Sequence, residues 1–408
     1  MKYVSVKFLI LLLYIVVDVF PSKSFAQQQI INVPPNDQPA QRLADIFSAD
    51  PLKPEWFAGP DYIKAVDPVK KQIIQRLGQP VAIEKIQPTQ YRLIFKDWDV
   101  ITHIGLDAQQ KISMIWFETP IANKPQNLND ILTEFKSLPG DNAILVTRNG
   151  QVLIESKSQD KKAVASAFKL GVLAVLQQYV QQNKLRWEQT VPGVANNQRS
   201  LPTGLLQDFP ENSPLTLSTL ASLMIFISDN TATDILIDIL SRQDIEKILE
   251  IPLLLKTREI FILKDPKNQD LLTEWSRAAG FSTRRELLKE VNKRPLPSIE
   301  IFMGGTVLTP EIEWFISSEK LCQVIKQVAD LPLFQINPGL AERNDWAKIA
   351  YKGGSEPGVL NLTTWLQAKN GDVYCVSVTW NDKKPLPEEK YMLWYKLLLK
   401  TLSQMSEK

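Results

Sequence analysis

Ser166-Ala167-Phe168-Lys169, running into Leu170-Gly171-Val172-Leu173-Ala174-Val175-Leu176, is the stretch on which the architecture turns. Apart from Gly171, positions 170–176 are apolar all round, and a helix without a polar face belongs inside a domain. A serine that opens such a helix has the lysine three residues later on its own side, so the amine can reach the hydroxyl. Taken out of water, an ammonium gives up its proton below the ordinary lysine value of ~10.4, which makes a neutral amine accessible as a base. The helix N-terminus also places N–H groups and positive dipole where an oxyanion would form. Ser-x-x-Lys occurs three times, at Ser158/Lys161, Ser166/Lys169 and Ser317/Lys320, and only the second opens a buried helix. For a lone copy of the motif the alternative is a capping serine followed by a lysine that reaches to water.

Working outward, residues 163 to about 293 are mostly helical in pattern, and strands bracket them. Upstream, 143–148 and 151–155 flank Asn149-Gly150, a strong hairpin signal because both turn positions need positive φ. Downstream, 347–352, 359–368 and 373–380 read as strands and 388–405 as a closing helix. The expected fold class is α/β in the α+β sense: one antiparallel sheet assembled from both ends of the domain and flanked by helices.

Two further strings follow Ser166 and Lys169 in order. Ser228-Asp229-Asn230 lies between an amphipathic run, 217–227, and a helix, 231–240. There the Ser228 hydroxyl could relay a proton to a leaving group, and Asn230 could hold Lys169 and a substrate carbonyl. The alternative is a helix cap. Lys352-Gly353-Gly354-Ser355 closes the strand 347–351. Two glycines at a strand end let another backbone come close, as a substrate laid along a sheet edge requires. Lys352 then supplies positive charge and Ser355 a hydroxyl for an anionic group, the alternative being a plain turn. The only histidine, His103, lies far upstream in what reads as a separate domain, where it is taken as structural, so a Ser-His-Asp triad is out of reach.

With these three strings in this order, the chain resembles the class A β-lactamase and penicillin-recognising serine hydrolase superfamily over about 128–405. The resemblance implies that Ser166 is the acylated nucleophile, Lys169 its base, Ser228 the proton relay, Asn230 a substrate ligand and Lys352 the lysine for a substrate carboxylate. It also implies that the N–H groups of Ser166 and Ser355 form the oxyanion hole, with Gly354 between Lys352 and Ser355. Hydrolytic members carry, between the second and third strings, a glutamate with an asparagine four residues on, which together hold the deacylating water. No glutamate between Asn230 and Lys352 has that partner. Glu259 is the best-placed candidate, but Leu263 stands where the asparagine would be, and Asp234 replaces the asparagine that usually steadies the glutamate. One carboxylate beside another would raise the pKa of one of them. Gly353 replaces a usual Thr or Ser, a loss that Ser355 could make good. The expectation is acylation by a β-lactam or a carboxylic ester, with inefficient β-lactam deacylation. The alternatives are a D,D-peptidase or penicillin-binding protein, and a binding protein that keeps the fold without turnover.

The 408 residues, 44% hydrophobic and 23% charged, suffice for two domains. Residues 1–26 read as an export signal cleaved near Ala26: Lys2 and Lys7, a short apolar run, then Ser24-Phe25-Ala26. The run is shorter than the ~20 apolar residues of a membrane span. Cleavage removes three basic residues and one acidic, leaving 44 of each. A neutral mature chain does not call for nucleic acid or an anionic membrane surface; a small-molecule substrate, a β-lactam or an ester, is what the resemblance implies. No metal or other cofactor is called for. Residues 27–50 read as a tether, 51–120 as a small α+β domain of cystatin or NTF2-like kind, and 121–408 as the hydrolase domain. The 120–129 stretch, with two prolines and three asparagines, reads as the linker. A small domain ahead of a β-lactamase-like one is similar to the esterases of clavulanic-acid gene clusters, in which the front domain is isomerase-like. Export permits a Cys322–Cys375 disulfide; two buried thiols are the alternative.

Overall fold

The computed structural model describes residues 31–408 except 97, 119, 124–126, 303–308, 310–311, 387 and 407–408; the expected export signal, 1–26, lies outside the described residues. The chain divides into two compact units, Met1–Thr119 and Pro120–Lys408.

In the first unit, two helices, Gln38–Ser48 and Pro60–Leu77, accompany an antiparallel sheet of Ala82–Gln87, Gln90–Ile94, Trp98–Leu106 and Ile112–Phe117, each strand beside the next. The first helix corrects the expectation of a tether over 27–50. Asp37 caps it by accepting the Ala40 N–H at 3.0 Å, and a proline stands in its first turn. Ala40, Leu43, Ala44 and Phe47 recur at helical spacing and are buried with Tyr91, Leu93 and Ile104. The proline- and glutamine-rich lead-in hid that period. His103 lies on Trp98–Leu106, stacked on Trp116 with ring centroids 4.2 Å apart and 2.6 Å from Glu118 Oε1.

In the second unit, five antiparallel strands run in the order Lys348–Glu356, Val359–Gln367, Val373–Asn381, Asp141–Arg148, Gln151–Ser156. The two ends of the unit therefore build one sheet, with helices between them in sequence. Asn149 and Gly150 take φ of 51° and 82°, the positive values that a tight hairpin turn demands. Helix Glu388–Ser406 closes the unit through Tyr391 and Tyr395, whose hydroxyls donate to Val378 O and Val376 O of the sheet. Helix Lys169–Gln181 is buried throughout its first eight residues, among Leu220, Met224, Leu236 and Leu249.

The strand expected to end at 351 or 352 continues to Glu356, so Lys352-Gly353-Gly354-Ser355 lies inside an edge strand. Glu356 faces Val359 across a tight turn in which Gly358 has φ of 83°. Glycines weaken a strand, and here the ladder to Val359–Gln367 holds them in it. Cys322, on helix Ser318–Val328, and Cys375, on the neighbouring strand, form a disulfide with Cα atoms 5.9 Å apart. No helix among the described residues is long and apolar enough to cross a membrane.

Candidate active site

Ser166 lies in a 3₁₀ turn, Ala165–Phe168, that feeds directly into helix Lys169–Gln181. Trp314 stacks on Phe168 with ring centroids 4.0 Å apart and ties its own N–H to Leu255 O at 3.0 Å, which fixes the turn from behind. Ala165 has φ of 43° and Ser228 φ of 58°. Non-glycine residues held there cost on the order of 1–3 kcal/mol each and gather at functional sites. Here one immediately precedes Ser166 and the other is Ser228 itself.

The Lys169 side chain has no exposure. Its amine donates to Ser228 O at 2.6 Å, Ser228 Oγ at 3.0 Å and Asn230 Oδ1 at 2.7 Å. All three acceptors are neutral. Burial drives its pKa well below the ordinary lysine value, the Lys352 charge pushes the same way, and Asp234 and Asp229 oppose. Lys352 reaches Ser228 Oγ from the other side at 3.1 Å and also donates to Gly353 O; burial pushes it down to about 7. The Ser228 hydroxyl thus joins the two lysines. Among the described residues no hydrogen bond links Ser166 Oγ to Lys169 Nζ; the two are one helical turn apart.

The surrounding loops keep Ser228 and Asn230 in place. Asp229 caps helix Asn230–Ile239 through Ala232 N–H at 2.8 Å, and its other oxygen takes the N–H groups of Leu205 and Leu206. Thr203 Oγ1 donates to Ser228 O at 2.7 Å. The Asn230 amide is engaged at both ends: its oxygen by Lys169, its nitrogen by Leu201 O at 3.0 Å. It therefore positions the amine, and the expected bond to a substrate carbonyl is left to at most one N–H.

Gly354 is where the sheet meets the turn that carries Ser166. A Cβ there would lie 2.2 Å from Val164 O, 2.6 Å from Ser166 N and 2.8 Å from Ala167 N, so only glycine lets the edge strand close on the turn. Lys352 and Gly354 face inward, while Ser355 is exposed on the opposite face, where its hydroxyl donates to Glu388 Oε1 at 3.0 Å. Ser355 therefore does not replace the hydroxyl that Gly353 lacks. The space beside Gly353 is filled by Tyr351, whose Oη would be 2.3 Å from a Cβ at 353. Burial and the Glu388 charge push the Tyr351 phenol up to about 12.

Glu259 corrects a sequence expectation. It is fully buried, pairs with both terminal nitrogens of Arg242 at 3.0 Å, accepts the Lys256 N–H at 2.7 Å and the Asn292 Nδ2 at 2.9 Å. A carboxylate so occupied has no lone pair turned to Ser166, and it is not among the charges acting on Lys169. Asp234 differs too. Its oxygens accept Thr257 N–H and Arg258 N–H, both at 2.8 Å, at the start of helix Thr257–Lys264. Burial, not a neighbouring carboxylate, raises its pKa to about 6. The other two Ser-x-x-Lys copies are local structure: Ser317 caps a helix through Lys320 N–H, and Ser158 bonds Glu155. Thr203 and Tyr351 escaped the sequence reading, because each reaches the site by tertiary packing.

Residues 125–261 match the model of the Beta-lactamase enzyme family. Over those residues the second unit is β-lactamase-like, in keeping with the serine hydrolase superfamily that the three strings resemble. No curated protein matches the chain. Solved structures similar to it include a β-lactamase from Sphaerobacter thermophilus DSM 20745 (16% identity, 69% of this chain and 98% of that one, TM-score 0.48). Others are PBP-A (15%, 70% and 98%, TM-score 0.46) and a β-lactamase from Chitinophaga pinensis DSM 2588 (13%, 67% and 98%, TM-score 0.48).

Proposed function

We propose that the protein is an exported acyl-serine hydrolase acting on carboxylic esters, with Ser166 as nucleophile and Lys169 as base. The observation that carries this reading is a fully buried amine bonded only to neutral oxygens, one turn from a serine at a strand edge. Neutral Lys169 takes the proton as Ser166 Oγ bonds to the substrate carbonyl carbon. The proton passes through Ser228 Oγ to the leaving oxygen as the carbon–oxygen bond breaks, giving an acyl-enzyme and an alcohol. Water then adds to the acyl carbon and releases the acid, and Ser166 regains its hydrogen. Backbone N–H groups of Ser166 and Ser355 would stabilise the oxyanion.

Glu259 is committed to Arg242 and Asn292, so the base for the water falls to Lys169 itself. This favours slow release of bulky acyl groups such as penicilloyl. It also keeps a D,D-peptidase in view, for which D-Ala-D-Ala peptides are the discriminating substrates. Export is supported by the N-terminal pattern and by a Cys322–Cys375 disulfide, a bond that persists in oxidising compartments. The test is intact-mass spectrometry of the mature protein with a penicillin and with a chromogenic ester, Ser166→Ala serving as control. A persistent penicillin adduct with fast ester turnover is expected. No adduct from either reagent overturns the reading in favour of a binding protein.

A further inference from the structure

The outer face of the edge strand carries a charge that the resemblance does not lead one to expect. Ser355, one residue beyond the glycine that touches the nucleophile turn, points its hydroxyl at Glu388, the first residue of helix Glu388–Ser406. Among the described residues no cation pairs with Glu388. The Glu388 charge is felt as far as the Tyr351 phenol, which fills the place beside Gly353. Two of the three groups that could hold a substrate carboxylate at this end are lost to it, and the third already gives two of its three N–H donors elsewhere. Gly353 has no hydroxyl, the Ser355 hydroxyl is spent on Glu388, and Lys352 is turned to the inner face, on Ser228 Oγ and Gly353 O. Ser228 is the group that would protonate the leaving oxygen, and Lys352 bonds it, so the strand beyond Lys352 runs beside the leaving group.

We propose that Glu388 is a specificity residue: its carboxylate, presented beside Ser355, disfavours leaving groups that carry a carboxylate and favours those that carry an ammonium, with uncharged ones between. This rests on the acyl-hydrolase reading and names the substrate class of that same site. Penicillins and D-Ala-D-Ala peptides carry a carboxylate in this part of the molecule, so the inference separates an ester hydrolase from both.

The test uses three acetate esters whose phenolic leaving groups have one shape and different charge: those of 3-hydroxybenzoate, 3-hydroxybenzamide and 3-(aminomethyl)phenol. Rates are corrected for spontaneous hydrolysis. At low ionic strength near neutral pH, wild-type kcat/KM is expected to fall from aminomethyl through carbamoyl to carboxylate, by about tenfold end to end. The spread shrinks in about 0.5 M salt, since the charge is at the surface. Glu388→Gln is expected to bring the three within about twofold of one another, and Glu388→Lys to reverse the order. Preference for the carboxylate ester, or an undiminished spread in Glu388→Gln, overturns this inference alone, because turnover of the carbamoyl ester still supports a hydrolase. No turnover and no mass adduct on Ser166 from any of the three overturns both.

Discussion

Replacing Gly354 with alanine tests whether the edge strand and the turn that carries Ser166 form one unit. The added Cβ would sit 2.2 Å from Val164 O, 2.6 Å from Ser166 N and 2.8 Å from Ala167 N, all backbone atoms. Backbone cannot swing aside, so strand and turn must part by about 1 Å to restore ordinary contact distances. Overpacking of this kind costs typically 1–3 kcal/mol, and a misplacement near 1 Å can slow a positioned reaction about 100-fold. Gly353→Ala is the matched control. Its Cβ would meet Tyr351 Oη at 2.3 Å, with Leu362 Cδ2 and Tyr351 Cζ at 3.1 Å, all ends of side chains that can shift. Acylation of Ser166 by an uncharged ester, followed by intact mass in a quenched time course, should fall about 100-fold for Gly354→Ala and under tenfold for Gly353→Ala. Thermal unfolding run alongside shows whether the first variant is still folded. Gly354→Ala acylating within threefold of wild type would refute the argument, as would equal damage from both substitutions.

Glu259→Gln leaves the Arg242 guanidinium without its anion, and breaking a buried pair costs about 3–5 kcal/mol. The denaturant midpoint should drop accordingly while the penicillin adduct decays at an unchanged rate; faster or slower decay would make Glu259 part of the chemistry. Replacing Cys322 and Cys375 together by serine opens a loop with a sequence separation of 53 residues, worth about 4 kcal/mol at 25 °C on the chain-entropy account. Urea unfolding should show it without loss of acylation rate. Lys352 holds its proton less tightly folded, near 7, than unfolded, so between about 7 and the ordinary lysine value the unfolded chain binds more protons. Stability from this group therefore rises with pH across that window, by on the order of 2 kcal/mol from pH 7 to 9, and is flat below it. Lys352→Met should lessen the rise in urea midpoints by that amount, leaving the share that buried Lys169 contributes in the same direction, and be the more stable protein at pH 7.

The parts of the fold that could be read beforehand are those in which local pattern and tertiary role coincide. Positions 170–176 are apolar on every side and lie inside; Asn149-Gly150 has the two positive φ values its residue types announce. Ser166, Lys169, Ser228 and Lys352 could be found because spacing and order along the chain are themselves the signal. What was not legible depends on which partner a side chain finds. Nothing in Thr257-Arg258-Glu259 reveals that Arg242 and Asn292 will consume the carboxylate, and nothing in Asp234 reveals that two backbone N–H groups wait for it. The double glycine read as a strand end because propensity says so; register with Val359–Gln367 overrode it.

The same partner choices bear on how the proposed reaction would run. Asp229 and Asp234 lie close enough to influence Lys169, yet both aim their oxygens at backbone N–H groups, and the three acceptors that touch the amine are uncharged. An ammonium in that setting has no ion pair to retain its proton, and it faces a second lysine across one hydroxyl. With nitrogen-to-oxygen distances of 3.0 and 3.1 Å to Ser228 Oγ, the two amines are no more than about 6 Å apart, where two positive charges would repel by roughly 3 kcal/mol at an effective dielectric of ~20. A proton taken from Ser166 is therefore driven onward through Ser228, and the amine returns to its neutral form before water arrives. On this reading one lysine serves both halves of the cycle, and the turnover limit is set by how easily water reaches it past the bound acyl group: small esters pass, and a penicilloyl group stays.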